Sequence, residues 1–297
     1  MSSALQCLEF DTALFRAHFN RRPFVFRHRL CGHPLFAMPR LVQLSRELRA
    51  DLVEYNAGQI PVSLPDWENT PYTGLSAEDT IRQADDVCSW MVLKRAEHSA
   101  DYKQLLDHIL DDVEPLSEPL EPGMREREAA VFVSSPGSVT PYHLDHEINF
   151  LLQLRGSKTV SVISAADREV LSERDLEDYF TSTAIHRNLP HDERVQAHAT
   201  VFELRAGEGL HIPTTDPHWV KNGDGVSISF SASFKTPASL RRGDVYRMNA
   251  RLRRMGMEPA PWGRSPLRDR AKELAFHAVN RAQRLLKPGT SAASDPA

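Results

Sequence analysis

Three side chains in this sequence could hold one metal ion between them. His143 and Asp145 are separated by a single residue, and His218 follows much later. The segment around the first two reads as extended, and side chains two apart on a strand point to the same face. An imidazole and a carboxylate placed so can reach one small cation. A second imidazole from a distant strand completes a face of two histidines and one carboxylate. That donor set leaves positions open on one side of the ion and suits non-haem iron(II) oxygen chemistry. The triplet by itself carries little weight in a chain with 13 histidines and 40 acidic residues. Taken singly, a histidine on a strand is more often a hydrogen-bonded or surface residue than a ligand.

The surroundings carry more. Thr140-Pro141-Tyr142-His143-Leu144-Asp145 leads into Asn149-Phe150-Leu151-Leu152-Gln153-Leu154-Arg155-Gly156-Ser157-Lys158. Far downstream, Gly207-Glu208-Gly209-Leu210-His211-Ile212-Pro213 precedes His218 by five residues. These two blocks, in this order, resemble the cupin-like JmjC oxygenases. The pattern there is T-P-x-H-x-D, then N-F-x-x-Q-x-x-G-x-K, then G-D-x-L-x-I-P, then a histidine. The resemblance covers roughly residues 126–236, with a looser match at Arg22-Pro23-Phe24-Val25-Phe26.

The resemblance implies a catalytic iron(II) held by His143, Asp145 and His218, with 2-oxoglutarate as cosubstrate. Its oxidative decarboxylation would be coupled to hydroxylation of a C–H bond. Lys158 falls at the family's cosubstrate-anchoring lysine, and Thr140 at a hydroxyl that helps bind the same carboxylate. Asn149 matches a position lining the cosubstrate pocket. Ser231 stands where relatives often carry asparagine, a departure at the contact to the inner carboxylate. By residue type His211 competes with His218 as the distal ligand. The resemblance places the ligand after the Ile-Pro turn, at His218.

Ordinary readings stand beside these. A buried lysine ammonium is costly unless an anion pairs with it, whereas a lysine just after a hairpin turn is commonly solvated. His146 follows the triplet but should point to the opposite face from Asp145. His186, His191 and His198 read as exposed polar residues. Trp219 either walls the site or simply packs.

The chain has 297 residues, 41% of them hydrophobic, enough for one large domain or two smaller ones. No apolar run approaches the ~18 residues of a membrane span, and the start shows no secretory signal pattern. Cys7, Cys31 and Cys88 form no C-x-x-C pair and read as reduced thiols. Together with a labile ferrous site they point to the cytoplasm. The net charge of −4 argues against a general nucleic-acid binder. Without a helix-turn-helix or zinc-finger pattern, specific nucleic-acid binding is not expected either. Between Arg241 and Lys287, however, basic residues far outnumber the acids Asp244, Glu258, Asp269 and Glu273. That surplus is either a solvated helix face or an electrostatic guide for an acidic partner.

These residues need an architecture to bring them together. Helices are expected at 11–19, 39–50, from Ser76 onward and at 99–114, where Pro115 to Gly123 breaks the pattern. A strand is expected at 22–27 and a loop at 57–75. From Ala129 the period changes to two, giving strands at 130–133, 149–154 and, after a Gly156-Ser157 turn, 158–163. Residues 165–198 read as an insertion with a helix near 167–179. Strands at 201–204, 210–212 and 226–234 follow. In the last, Val226, Ile228, Phe230, Ala232 and Phe234 alternate with four serines, so one face suits a helical layer and the other the polar inside of a barrel. Helices are expected at 239–255 and 267–286, the second carrying Leu274, Val279, Ala282 and Leu286 as a stripe more typical of core than of a dimer contact. Residues 288–297 read as a disordered tail.

The resulting expectation is an α+β protein. Its double-stranded β-helix core (jelly-roll, cupin) spans 126–236, with a helical N-terminal extension over 1–125 and a helical C-terminal region over 237–287. A protein or peptide side chain is the preferred substrate, with a small molecule as the alternative. The loop 57–75 and the insertion 165–198 would face that substrate. A non-catalytic cupin that only binds a ligand is the rival from another class, and the joint presence of Thr140 and Lys158 weighs against it. Homodimerisation through the C-terminal helices is a further expectation.

Overall fold

The computed structural model describes residues 6–64, 71, 73–182 and 188–286. His186, part of the expected 57–75 loop and the expected tail at 288–297 lie outside these residues. The chain begins with β1 (Leu8–Glu9), α1 (Thr12–His18), β2 (Phe24–His28), α2 (Met38–Glu47) and β3 (Val53–Ala57). Next come α3 (Ala77–Arg82), β4 (Ser89–Lys94), α4 (Ala100–Ser117), β5 (Arg125–Ser134), β6 (Val139–His143) and β7 (Ile148–Arg155). β8 (Ser157–Val162), α5 (Glu173–Thr181), α6 (Glu193–Ala197), β9 (Thr200–Arg205) and β10 (Glu208–Ile212) follow. β11 (His218–Asn222), β12 (Ser227–Lys235), α7 (Pro237–Arg254) and α8 (Pro266–Leu286) complete the order.

The strands form two antiparallel sheets. One has the order β1-β2-β10-β7-β12-β5-β4-β3, the other β6-β11-β8-β9. Sequence neighbours are often not sheet neighbours, and this interleaving is what a double-stranded β-helix requires.

Alternation sorts the side chains. On β7, Ile148, Phe150, Leu152 and Leu154 join a large core with the helices, including Phe15 of α1 and Leu105, Leu106 and Ile109 of α4. Leu151, between them, joins a separate inner cluster with Val160, Val162, Leu204, Leu210, Ile212 and Val220. β12 behaves alike: Ile228, Phe230, Ala232 and Phe234 pack into the helical core, while Ser229 pairs across from Gln153 and Ser231 from Leu151. The large sheet is thus apolar toward the helices and mixed toward the barrel interior.

Local chemistry explains several boundaries. Asp11 caps α1 by accepting from the amides of Ala13 and Leu14, and Ser76 caps α3 through the Asp79 amide. The insertion helix starts at Glu173 rather than near 167, because Ser172 and Asp175 form a capping box there. Pro115 does not break α4, which runs on to Ser117. In the last turn a proline forfeits only one helical hydrogen bond. The first 125 residues are not only helical: β1 to β4 extend both edges of the large sheet. β4 escaped the alternation test because all but its last residue are buried, so Ser-Trp-Met-Val-Leu-Lys shows no period of two.

The chain divides into two compact units. The first comprises 1–171 and 184–239 and holds both sheets. The second comprises 172–183 and 240–297, so part of the expected insertion groups with the C-terminal helices. Within it Phe180 stacks on Tyr246 with ring centroids 5.5 Å apart. The Arg253 guanidinium takes both carboxylate oxygens of Glu177 at 2.9 and 3.1 Å. Arg241 pairs with Glu273 and Arg247 with Asp244, so much of the basic surplus is neutralised locally. The expected apolar stripe on α8 is not core: Leu274 is 58% exposed, and Phe276 is the buried hydrophobic side chain among the helix's described residues instead.

Gly156 makes the turn between β7 and β8 possible. It sits at φ 71°, and a Cβ there would meet the Val226 carbonyl oxygen at 2.5 Å. Gly156→Ala should therefore cost about 2 kcal/mol or more. Urea unfolding of the variant checks this, and an unchanged midpoint would mean that the turn relaxes freely.

Candidate metal centre

β6 and β11 lie side by side, and their register makes His218 the direct partner of His143. The next pair is Val220 with Thr140, two residues along β11 but three along β6. In a regular strand Thr140 and His143 would face opposite sides of the sheet. The extra residue is a β-bulge, and it turns both to one face. Pro141, which has no amide hydrogen to pair, sits within it.

Each imidazole is oriented by its own backbone. The Nδ1 of His143 is 2.7 Å from the Pro141 carbonyl, and the Nδ1 of His218 is 3.0 Å from the Asp216 carbonyl. A carbonyl can only accept, so both rings carry the proton on Nδ1 and leave Nε2 free as a donor to a metal. The ring centroids are 4.3 Å apart.

Asp145 reaches the same point, though not as strand geometry predicts. β6 ends at His143, and Asp145 lies beyond it. Its main-chain carbonyl accepts from the Thr215 amide at 2.8 Å, which holds it against the loop that leads to His218. Its Oδ2 lies 3.9 Å from Nε2 of His143 and 3.8 Å from Nε2 of His218. The three ligand atoms all fall within 4.8 Å of one another. Two neutral imidazoles and a carboxylate at this spacing fit a first-row divalent cation with open positions on one side. His218 is buried, and burial, with His143 beside it, holds its pKa below the usual histidine range. The Asp145 side chain is 40% exposed, so the face is open to solvent on that side.

Lys158 lies on the same inner face, four residues along the sheet from the His218 pair, opposite Asn222. Its Nζ donates to Ser229 Oγ at 2.6 Å, and no carboxylate among the described residues pairs with it. Burial alone pushes its pKa down to about 7. Asn149 and Ser231 face the interior opposite it, and the Ser231 hydroxyl donates to Asn149 Oδ1 at 2.7 Å. Thr140 accepts from the Trp90 indole at 2.9 Å, which leaves its own hydroxyl hydrogen available.

The other sequence candidates fall elsewhere. His211 is a satisfied core histidine: Nδ1 donates to the Asn149 carbonyl at 3.1 Å and Nε2 accepts from the Asn20 amide at 2.9 Å. It packs among Phe19, Phe24 and Phe150, and burial takes its pKa down to about 3. His146 pairs with Glu147 at 2.8 Å. His191 and His198 are half-buried rather than exposed; His191 packs edge-on against Trp219, and His198 contacts Asp167 at 2.7 Å. Trp219 does not wall the metal face. Adjacent to His218 on the strand, it points the other way, into a cluster with Tyr142, Ile163 and Val195. Ser229 and Trp90, which hold Lys158 and Thr140, were not singled out in the sequence. For Ser229 the signal was present, two residues before Ser231 on an alternating strand. For Trp90 it was absent.

The buried lysine yields a pH test. Its folded-state pKa is depressed from 10.5 to about 7, so between those values the unfolded chain binds the extra proton. The penalty is fully present below about pH 7 and fades toward pH 10.5. Lys158→Met should accordingly be at least as stable as the parent at pH 7, with the advantage shrinking as pH rises. Parallel urea titrations at pH 7 and 9.5 measure the difference. A variant much less stable at pH 7 would mean that an internal anion already compensates the charge.

A family model described as a cupin-like domain matches residues 19–239. No curated protein matches the sequence. Among solved structures, an X-ray structure of E. coli YcfD is 15% identical, with a TM-score of 0.48 over 95% of this chain and 69% of that one. Another, of E. coli YcfD described as a ribosomal oxygenase in complex with cobalt and 2-oxoglutarate, is 14% identical, with a TM-score of 0.47 over 94% and 69%. The family match spans well over half of the chain, and on that ground the chain belongs to the cupin-like domain family.

Proposed function

We propose that this protein is an iron(II)- and 2-oxoglutarate-dependent dioxygenase that hydroxylates a C–H bond of a protein or peptide side chain. One observation carries the reading. A convergent His143–Asp145–His218 face and a buried lysine with no anionic partner among the described residues share the inside of one barrel. A cupin that merely bound an apolar ligand would have no use for an unpaired buried ammonium, which destabilises it.

His143, Asp145 and His218 are the metal ligands in this reading. Bound iron(II) would supply oxygen activation coupled to decarboxylation of the 2-oxo acid. The protein's own contribution is positional. Lys158, held by Ser229, takes the distal carboxylate, and Thr140 adds a hydroxyl. Asn149 and Ser231 line the pocket between. Val160, Val162, Val220 and Leu151 keep its walls apolar and exclude water.

The exposed side of the triad supports a large substrate that offers one side chain. Segments from the two expected substrate-facing regions meet there: Asn188 bridges to His143, and its Nδ2 donates to the Leu64 carbonyl at 2.7 Å. No helix of the described residues is long and apolar enough to cross a membrane. Three cysteines that form no disulfide, in a chain read as holding a ferrous ion, suit a reducing compartment such as the cytoplasm. The exposed Leu267, Ala271, Leu274, Ala278 and Leu285 recur along α8 at coiled-coil spacing and support a homodimer. Light scattering on Leu274→Glu tests that point, and a parent that is monomeric at high concentration removes it.

Anaerobic titration with iron(II) and then 2-oxoglutarate tests the main proposal. A weak visible charge-transfer band should appear only when both are present. Asp145→Ala should abolish iron binding. Lys158→Met should still bind iron but need at least about tenfold more 2-oxoglutarate to develop the band. A parent that binds iron yet never gives the band requires a different cosubstrate. A parent that binds no iron overturns the proposal.

A further inference from the structure

We infer that Asn20 is a positioning residue for the metal centre, acting through the loop between β10 and β11; the inference rests on the iron-site reading above. Asn20 follows α1 and is remote in sequence from every ligand. Its backbone is left-handed, φ 50°, a conformation asparagine adopts more readily than most residues.

That one residue makes three hydrogen bonds. Its amide donates to His211 Nε2 at 2.9 Å, at the end of β10. Its side-chain Oδ1 accepts from the Thr214 amide at 2.9 Å. Its Nδ2 donates to Glu121 Oε2 at 2.7 Å. The other oxygen of Glu121 is engaged by the Thr236 hydroxyl. Asn20 is therefore itself held from behind while it grips the loop.

The gripped loop sets two of the three ligands. Thr215, next to Thr214, is also left-handed at φ 66° and donates its amide to the Asp145 carbonyl. Asp216 supplies the carbonyl that orients His218 through Nδ1, and its own carboxylate is anchored by the Ala165 amide at 2.8 Å. Thr214, Thr215 and Asp216 are all buried. A buried loop with two main-chain contacts to a metal face transmits small displacements directly to it, since groups behind the ligands commonly change metal affinity 10- to 100-fold. Asn20 thus couples the N-terminal segment to the triad without touching it.

The test uses three proteins of full length. Asn20→Gly keeps the left-handed backbone and deletes the side-chain bonds. Asn20→Asp combined with Glu121→Gln exchanges donor and acceptor across the 2.7 Å contact and leaves an acceptor for Thr214. Anaerobic iron(II) affinity should fall about tenfold in Asn20→Gly and return to within about threefold of the parent in the double variant. Crystal structures of the metal-free parent and Asn20→Gly provide a second readout that needs no iron. The Thr215–Asp145 bond should lengthen, and the ligand atoms should spread beyond 4.8 Å. Unchanged triad geometry, unchanged affinity or failure of the double variant to restore binding would each overturn the inference. A parent that binds no iron would instead overturn the enzymatic reading, and the crystal comparison would still decide whether Asn20 positions the three side chains.

Discussion

The antiparallel pairing of His218 with His143 is the contact on which the site depends. It brings together two residues 75 positions apart in the chain. The same register, read along β11 into β8, sets Lys158 four residues away on the same face. A slip of one residue would turn His218 outward and bring Trp219 in. The bulge in β6 is the second half of this constraint, since without it Thr140 and His143 could not both face inward. Position within the sheet, more than the choice of residue, turns scattered side chains into one site.

The barrel interior shows the cost of that arrangement. Aliphatic side chains line part of it, and a large polar inventory is set among them: Lys158, Ser229, Ser231, Asn149 and the triad. Most of these groups find partners within the fold, as Ser231 does on Asn149 and Lys158 does on Ser229. The ammonium is different, because a neutral hydroxyl does not offset the loss of hydration around a charge. A site that pre-stores this imbalance favours an incoming anion over water. The stability of the fold comes instead from the other side of the large sheet, where the phenylalanines of α1, β2, β7 and β12 meet α4.

Much of this was legible before the fold was known. The alternation in β12 named its inner serines and its outer apolar residues, because a half-buried strand has only two faces. Ser76 marked a helix start through capping chemistry that is local in sequence. The two motif blocks singled out the triad, Lys158, Thr140 and Asn149, and the structure brings these residues to one barrel interior. Legibility failed where burial was two-sided, as in β4. It failed also where a boundary depended on a single hydrogen bond, as at Pro115, and on α8, where Leu274 and Val279 of the expected core stripe are exposed.

By itself, the sequence determined which chemistry was available: the ligand types, the lysine after the Gly156 turn, the small hydroxyls and the periods that make strands and helices. These are properties of residues and their near neighbours, so they survive without coordinates. The resemblance placed the distal ligand at His218, and the tertiary structure supplies the physical reason: ring type is identical in His211 and His218, and the difference is whether Nε2 already has a partner. Asn20 takes that position on His211 and leaves His218 free. Only the fold showed that Asp145 reaches the triad from beyond its strand, held by Thr215. Such choices depend on hydrogen bonds between segments far apart in the chain, and no local pattern encodes them.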